Sequence, residues 1–326
     1  MPEPLLSVRN LRVEYLTESG PVRAVDNVSF DILPGEVFGL AGESGSGKST
    51  AALAVLRLLP PPAVITGGEV LFEGEDILAM DDESLRRFRW RRASLVFQSA
   101  MNALNPVLDV GAQICDVIEQ HEGVTRLQAL ERAADLLALV GIDSSRLKSY
   151  PHQLSGGMRQ RVVIAIALAL KPPLMIMDEP TTALDVVVQK EILQQIAELK
   201  RELGFSILFI THDLSLMIEF SDRIGILYAG KLVELADAKE LFERPRHPYT
   251  RGLMASFPAL RGPRRRLDGI SGSPPDMLHP PEGCRFHPRC ADAMPHCRAK
   301  RPALSRVSPE AEVACHLYPE TPARRA

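Results

Sequence analysis

Several absences narrow the class of this chain before any motif is considered. No apolar stretch reaches membrane-spanning length; the most hydrophobic run, residues 162–170, is short and is closed by Lys171-Pro172-Pro173. A membrane role would have to come through partner chains. The opening residues Met1-Pro2-Glu3-Pro4 lack the basic and apolar regions of an export signal, so the chain is expected to stay in the cytosol. There its five cysteines are not expected to pair as disulfides. Strong charge is missing too: a net charge of -3 gives no reason for nucleic acid as a general partner, and in the local basic run from Arg261 to Arg266 the arginines at 264 to 266 read as a solvated linker before a contact for anionic lipid head groups or RNA. There is no internal repeat and no short C-x-x-C knuckle.

What remains is globular, with 45% hydrophobic and 24% charged residues. At 326 residues the chain exceeds what one core usually organises, which predicts a large domain with an appendage. Its most informative stretch is Gly42-Glu43-Ser44-Gly45-Ser46-Gly47-Lys48-Ser49-Thr50, with the G-x-x-x-x-G-K-S spacing that wraps backbone around a polyphosphate. Residues 36–41 predict a short buried strand before it and residues 51–59 an apolar-faced helix after it, the strand, loop and helix order such a loop requires. The glycines let successive N–H groups point inward, the helix start adds partial positive charge, Lys48 can reach the β- and γ-phosphates, and Ser49 can ligate Mg²⁺.

Ahead of the loop, Leu11, Val13 and Tyr15 alternate with polar residues, and residues 24–32 alternate again before a turn at Pro34-Gly35, predicting antiparallel strands. Tyr15 closes its strand, where a ring could stack on a nucleobase or simply face inward. After the loop, residues 68–72 predict a strand, 83–92 a basic helix, and 93–97 a buried strand ending at Gln98. Gln98 could reach a metal or its water, or be an ordinary loop residue. Residues 109–140 turn helical, with a capping box at Thr125 and Gln128. Ser155, Gly156 and Gly157 then open a long apolar helix, and small residues at a helix start make a second anion site, with the Ser155 hydroxyl expected to point outward. Residues 174–177 form a continuous apolar strand that delivers Asp178 and Glu179. Neighbouring strand residues face opposite ways, so these carboxylates can take separate roles, metal binding and water activation, only where the strand ends, which Pro180 marks. Residues 205–210 predict another buried strand ending in His212, at the sheet edge where α/β proteins bind ligands. Residues 223–228 and 231–234 predict a hairpin.

In order along the chain, the GESGSGKST loop, Gln98, LSGGMRQR at 154–161, LMIMDEP at 174–180, ALD at 183–185 and His212 resemble the ATPase subunits of ATP-binding cassette (ABC) transporters, over roughly residues 5–245. That resemblance implies an α/β fold of the P-loop NTPase class, an ABC-type nucleotide-binding domain over 1–245 with an antiparallel β subdomain and a helical insertion at about 99–160, and a small irregular cysteine-containing extension over 246–326. It further implies that Gly42, Ser44, Gly45, Ser46, Gly47, Lys48, Ser49 and Thr50 hold the phosphates of ATP, that Ser49, Gln98 and Asp178 serve Mg²⁺, that Glu179 is the general base, and that His212 contacts the γ-phosphate and Tyr15 the adenine. Ser155, Gly156 and Gly157 would meet the ATP of a second cassette, and Asp185 would link the two sites. With one loop and one signature per chain, a complete site needs two cassettes packed head to tail. The implied partners are that second ATPase subunit, two membrane permease subunits and an extracytoplasmic substrate-binding protein, at the cytoplasmic face of the plasma membrane. Arg244-Pro245-Arg246-His247-Pro248-Tyr249-Thr250-Arg251-Gly252-Leu253 and Met101-Asn102-Ala103-Leu104-Asn105-Pro106 look like the oligopeptide/dipeptide and nickel importer branch, though Ser99-Ala100 departs from its pattern and leaves the solute open. An ABC-type ATPase acting on nucleic acid or the ribosome is the alternative; it is weakened by the absence of paired cassettes and of aromatics interleaved with the tail's basic residues.

Beyond residue 262, prolines and arginines dominate and periodicity vanishes, which predicts little independent core. Cys284-x₅-Cys290-x₆-Cys297-x₁₇-Cys315 offers four soft ligands for a [4Fe–4S] cluster or Zn²⁺, with free thiols as the third possibility. The missing C-x-x-C favours the cluster, which some dipeptide-type ATPase subunits carry. His287 and His316 are adjacent alternative ligands or plain surface residues.

Overall fold

The computed structural model of the chain describes residues 3–97, 103–181, 184–256 and 269–318. Gln98 therefore lies outside the described residues, as do Ser99 to Asn102, Thr182, Ala183 and Arg264 to Arg266. The described chain forms two compact units, one of Met1–Ile32, Val37–Leu78 and Ile210–Ala326, the other of Leu33–Glu36 and Ala79–Phe209.

In the first unit, β1 (Leu6–Thr17) and β2 (Gly20–Ile32) pair antiparallel from Leu6 opposite Ile32 to Thr17 opposite Gly20. Leu6, Leu11 and Val13 are fully buried while Arg9, Asn10 and Arg12 are exposed, so the period of two read from the sequence holds wherever no bulge interrupts it. β3 (Val37–Ala41) is buried at every position and feeds the loop before α1 (Lys48–Val55). β4 (Ala63–Phe72) pairs with the other edge of β1, and β5 (Glu75–Asp76) completes a four-stranded antiparallel sheet in the order β2-β1-β4-β5.

The second unit is the helical one. α2 (Asp82–Arg91), capped by Asp81, which accepts from the Ser84 N–H at 2.7 Å, leads to β6 (Ala93–Val96). α3 (Val110–Glu122) buries Val110, Ile114, Cys115 and Ile118 on one face. α4 (Arg126–Leu139) starts on the anticipated box, Thr125 N–H donating to Gln128 Oε1 at 3.0 Å and Thr125 Oγ1 accepting from Gln128 N–H at 3.4 Å. α5 (Gly156–Leu168) packs against both. β7 (Leu174–Asp178) runs parallel to β6. α6 (Val186–Leu203) ends at Gly204, with φ of 75°, and β8 (Ser206–Ile210) lies beside β7.

Back in the first unit, α7 (Leu214–Phe220) precedes the expected hairpin, β9 (Arg223–Tyr228) and β10 (Lys231–Asp237), and β9 lies parallel to β3. α8 (Ala238–Glu243) and α9 (Pro248–Ala255) follow. The extension departs from expectation. It is not wholly irregular: β11 (Ser305–Ser308) and β12 (Ala311–Val313) add to the free edge of β10, with Val313 opposite Glu234. A sheet edge supplies the pairing groups, so a segment too short and too proline-rich to show a period can still become strand. Residues from Ile210 onward belong to the same compact unit as the phosphate loop, and the second unit runs from Ala79 to Phe209 with Leu33–Glu36. Among the described residues no helix is long and apolar enough to cross a membrane.

Candidate active site

The loop between β3 and α1 is built around positions that tolerate no side chain. A Cβ on Gly42, whose φ is 148°, would fall 2.1 Å from the Leu227 carbonyl oxygen, and one on Gly47, with φ of 103°, 2.3 Å from that of Ala24. Gly47 is the helix cap, so α1 begins at Lys48, earlier than the expected 51, and its first turn contains no acidic residue. N–H groups at a helix start and backbone that a Cβ would obstruct are what a phosphate requires. Lys48 is 6% exposed, and its Nζ donates to the carbonyls of Gly42 at 2.8 Å and Glu43 at 2.9 Å, with Ser46 Oγ at 3.4 Å. Ser44 and Gly45 form the exposed tip, while Ser49 and Thr50 are half-buried. Tyr15, near the end of β1, has its hydroxyl 3.3 Å from Thr50 Oγ1 in the first turn of α1. His212 is exposed in the turn between β8 and α7, next to Asp213, whose carboxylate caps α7. Tyr15, residues 42–50 and His212 thus belong to one compact unit.

The second unit holds the acids and the signature. Asp178 ends β7 and is 6% exposed. Glu179 follows with φ of 48°, a left-handed conformation that costs a non-glycine residue energy and that recurs at functional positions. This is the turn the sequence required if the two carboxylates are to separate. Ser155 is exposed, and its hydroxyl oxygen caps α5, accepting from the Met158 N–H at 3.3 Å. Gly156 and Gly157 form the first turn, where a Cβ on Gly157 would lie 2.9 Å from Val188 Cγ1. Asp185 caps α6 through the N–H groups of Val187 and Val188, at 3.1 and 3.0 Å.

In the extension, Cys284, Cys290, Cys297 and Cys315 all line one small cavity, together with His287, His316, His247 and Phe286. Burial pushes the Cys284 thiol up to about 11 and raises Cys290 and Cys315. Thiols in such surroundings ionise only against a compensating cation. Yet among the described residues no group of three or more His, Cys, Asp or Glu side chains is placed to hold a metal ion. His287 Nδ1 lies 2.9 Å from Cys284 O and His316 Nε2 2.9 Å from Lys300 O, which engages one nitrogen of each ring.

Residues that sequence reasoning missed come from the same extension. Arg289 reaches back to Glu43 in the phosphate loop at 2.8 and 3.0 Å, and Tyr249 Oη accepts from the Glu43 N–H at 2.8 Å. No local pattern signals contacts across two hundred residues; the position of Arg289 beside the cavity-lining Cys290 was the one available hint.

Comparison with known proteins agrees with this architecture. Residues 25–182 match the ABC transporter family, and residues 233–297 match the family described as the oligopeptide/dipeptide transporter C-terminal region. The chain is 44% identical to the dipeptide transport ATP-binding protein DppD of Caldanaerobacter subterraneus, over 97% of this chain and 98% of that one. It is 42% identical to the oligopeptide transport ATP-binding protein OppD of Bacillus subtilis, over 98% and 90%. Among solved structures it is similar to the ATP-binding cassette MJ0796 in a dimeric post-hydrolysis state bound to ADP and Pi, with a TM-score of 0.64, 30% identity and coverage of 72% of this chain and 98% of that one. A phosphate loop, a signature helix and a cysteine-bearing extension, matched over nearly the whole length, place this chain in the ABC transporter family, among the ATP-binding proteins of its oligopeptide/dipeptide branch.

Proposed function

We propose that the chain hydrolyses ATP as one of a pair of cassettes and thereby powers uptake of dipeptides or oligopeptides through separate permease subunits. The observation that carries this is the loop itself: glycines at 42 and 47 that a Cβ would obstruct, a buried lysine at 48, and a helix start with no acid in its first turn. In this scheme the loop N–H groups, Lys48, Ser49 and Thr50 hold the phosphates and Tyr15 stacks on the adenine. Ser49 and Asp178, with Gln98, are the residues that would hold Mg²⁺, which would neutralise phosphate charge when bound. Glu179 accepts the proton of the attacking water, and His212 steadies the γ-phosphate.

Ser155, Gly156 and Gly157 present the start of α5 to the nucleotide of a second cassette, and Asp185 at the start of α6 joins one site to the other. ATP would then act as the adhesive of a dimer and hydrolysis as its release, which links nucleotide to partner conformation. Peptide as the solute, two permeases and an extracytoplasmic receptor as partners, and the cytoplasmic membrane face as location rest on similarity to the dipeptide and oligopeptide proteins. The four thiols around one cavity support an iron–sulfur cluster as a finer proposal; an anaerobic preparation without iron would remove it.

The test is purification from membranes with identification of the accompanying chains. Co-purified permeases that stimulate ATP hydrolysis are the expected result. Stimulation by RNA in a salt-sensitive manner, without permeases, would overturn the importer assignment.

A further inference from the structure

Between the thiol cavity and the phosphate loop runs a polar bridge that the nucleotide roles above do not use. Glu43 is the second residue of the loop. Its carboxylate accepts two hydrogen bonds from Arg289, at 2.8 and 3.0 Å, in the paired geometry that fixes orientation as well as charge. Its backbone N–H donates to Tyr249 Oη at 2.8 Å, and its carbonyl is one of the two that anchor Lys48 Nζ. The peptide groups that anchor the lysine are therefore gripped from outside by the extension.

The grip is firm. The Arg289 side chain is 5% exposed, lies 5.7 Å from the Tyr228 ring and 6.0 Å from that of Phe286, and donates to the carbonyls of Ser271 and Ile270 at 2.9 and 3.3 Å. The Tyr228 and Tyr249 rings are 4.6 Å apart. A second tail arginine, Arg285, donates to Ala229 O and Asp26, and the next residue, Gly230, donates its N–H to Ser46 O at 2.9 Å. The loop needs such support, because its tip at Ser44 and Gly45 is exposed and a Cβ on Gly45 would meet nothing within 4 Å. An exposed ion pair would contribute little here; a buried, oriented one can set backbone geometry.

We infer that Arg289 and Tyr249 are positioning residues for nucleotide binding: they fix the Glu43 peptide, and through it Lys48, so that the C-terminal extension raises the affinity of the loop for ATP. The inference rests on the loop being the ATP site. Linkage makes the effect reciprocal, so nucleotide also holds the extension in place.

The test uses the full chain, a fluorescent ATP analogue for affinity, steady-state hydrolysis, and amide hydrogen exchange over residues 286–291. Arg289→Ala is expected to weaken nucleotide binding about tenfold, within the usual range for coupled sites, and to raise KM while kcat at saturating ATP changes by less than about twofold. Arg289→Lys and Tyr249→Phe should fall between it and the parent. Nucleotide should slow exchange at 286–291 in the parent and fail to do so in Arg289→Ala. If Arg289→Ala does not fold, Glu43→Gln makes the same test from the loop side with shape conserved. A folded variant that melts lower yet binds nucleotide with parental affinity, or a parent whose exchange at 286–291 ignores nucleotide, overturns the inference. A parent that binds no ATP analogue overturns the assignment of the loop itself.

Discussion

Glu179 is the residue whose backbone and proposed chemistry agree most closely: a half-buried carboxylate in a left-handed turn at the end of a fully buried strand. Replacing it with glutamine preserves shape and removes basicity, so Glu179→Gln should lower single-turnover hydrolysis by about 10² to 10⁴ while leaving nucleotide affinity intact. Parental turnover in that variant would take Glu179 out of the mechanism. A second prediction concerns His247, which is 1% exposed and whose pKa burial, followed by the nearby Arg251 charge, lowers from 6.5 to about 3. The unfolded chain gains a proton below 6.5 that the folded chain refuses, so this group's contribution to stability is lost as pH falls from 6.5 toward 3. Glu234, whose carboxyl burial raises, acts in the opposite sense. It is common to both proteins when the parent is compared with His247→Asn, which keeps a capping side chain at the start of α9. That variant should lose about 2 kcal/mol less than the parent between about pH 6.5 and 5 in denaturant titrations; identical acid profiles would mean the imidazole titrates normally.

At the scale of elements, the informative feature is how helices begin. α4 was legible because both halves of its capping box are local: Thr125→Ala should cost about 1 kcal/mol in urea unfolding, and no change would mean the frayed end is already solvated. α5 and α6 begin on Ser155 and Asp185, the residues proposed to meet a partner's nucleotide and to link the two sites. Capping and signalling can therefore share one side chain, and the two must be separated experimentally. Asp185→Asn retains a good cap, so it should leave the melting temperature nearly unchanged while reducing the cooperativity of hydrolysis. A large loss of stability would show that Asp185 acts mainly as a cap. The edge strands β11 and β12 were not legible, since nothing in their own residues selects strand; the open edge of β10 does.

At the scale of the molecule, the proposed arrangement requires two copies or two related subunits. Specific hydrolysis should rise with protein concentration, and Glu179→Gln with ATP should elute as a dimer that ADP does not sustain, as light scattering can show. Specific activity independent of concentration and of any partner would exclude a shared site. The packing of the extension with the phosphate-loop unit changes what truncation should do: removing residues from 246 onward strips Glu43 of both Arg289 and Tyr249, so it should weaken nucleotide binding and not merely remove an accessory tail.

The sequence alone determined the phosphate loop, the signature, the paired acids and the capping box at Thr125 and Gln128, because each is a local pattern in which chemistry and backbone demand fall within a few residues. It also determined the strands whose alternation or unbroken apolar character is self-evident. Tertiary structure alone decided that Glu179 adopts a left-handed turn, that the Ser155 hydroxyl caps its own helix, that four separated thiols line one cavity, and that Arg289 reaches Glu43. Those facts depend on which distant segments the core brings together, and long-range contact leaves no period in the chain to read.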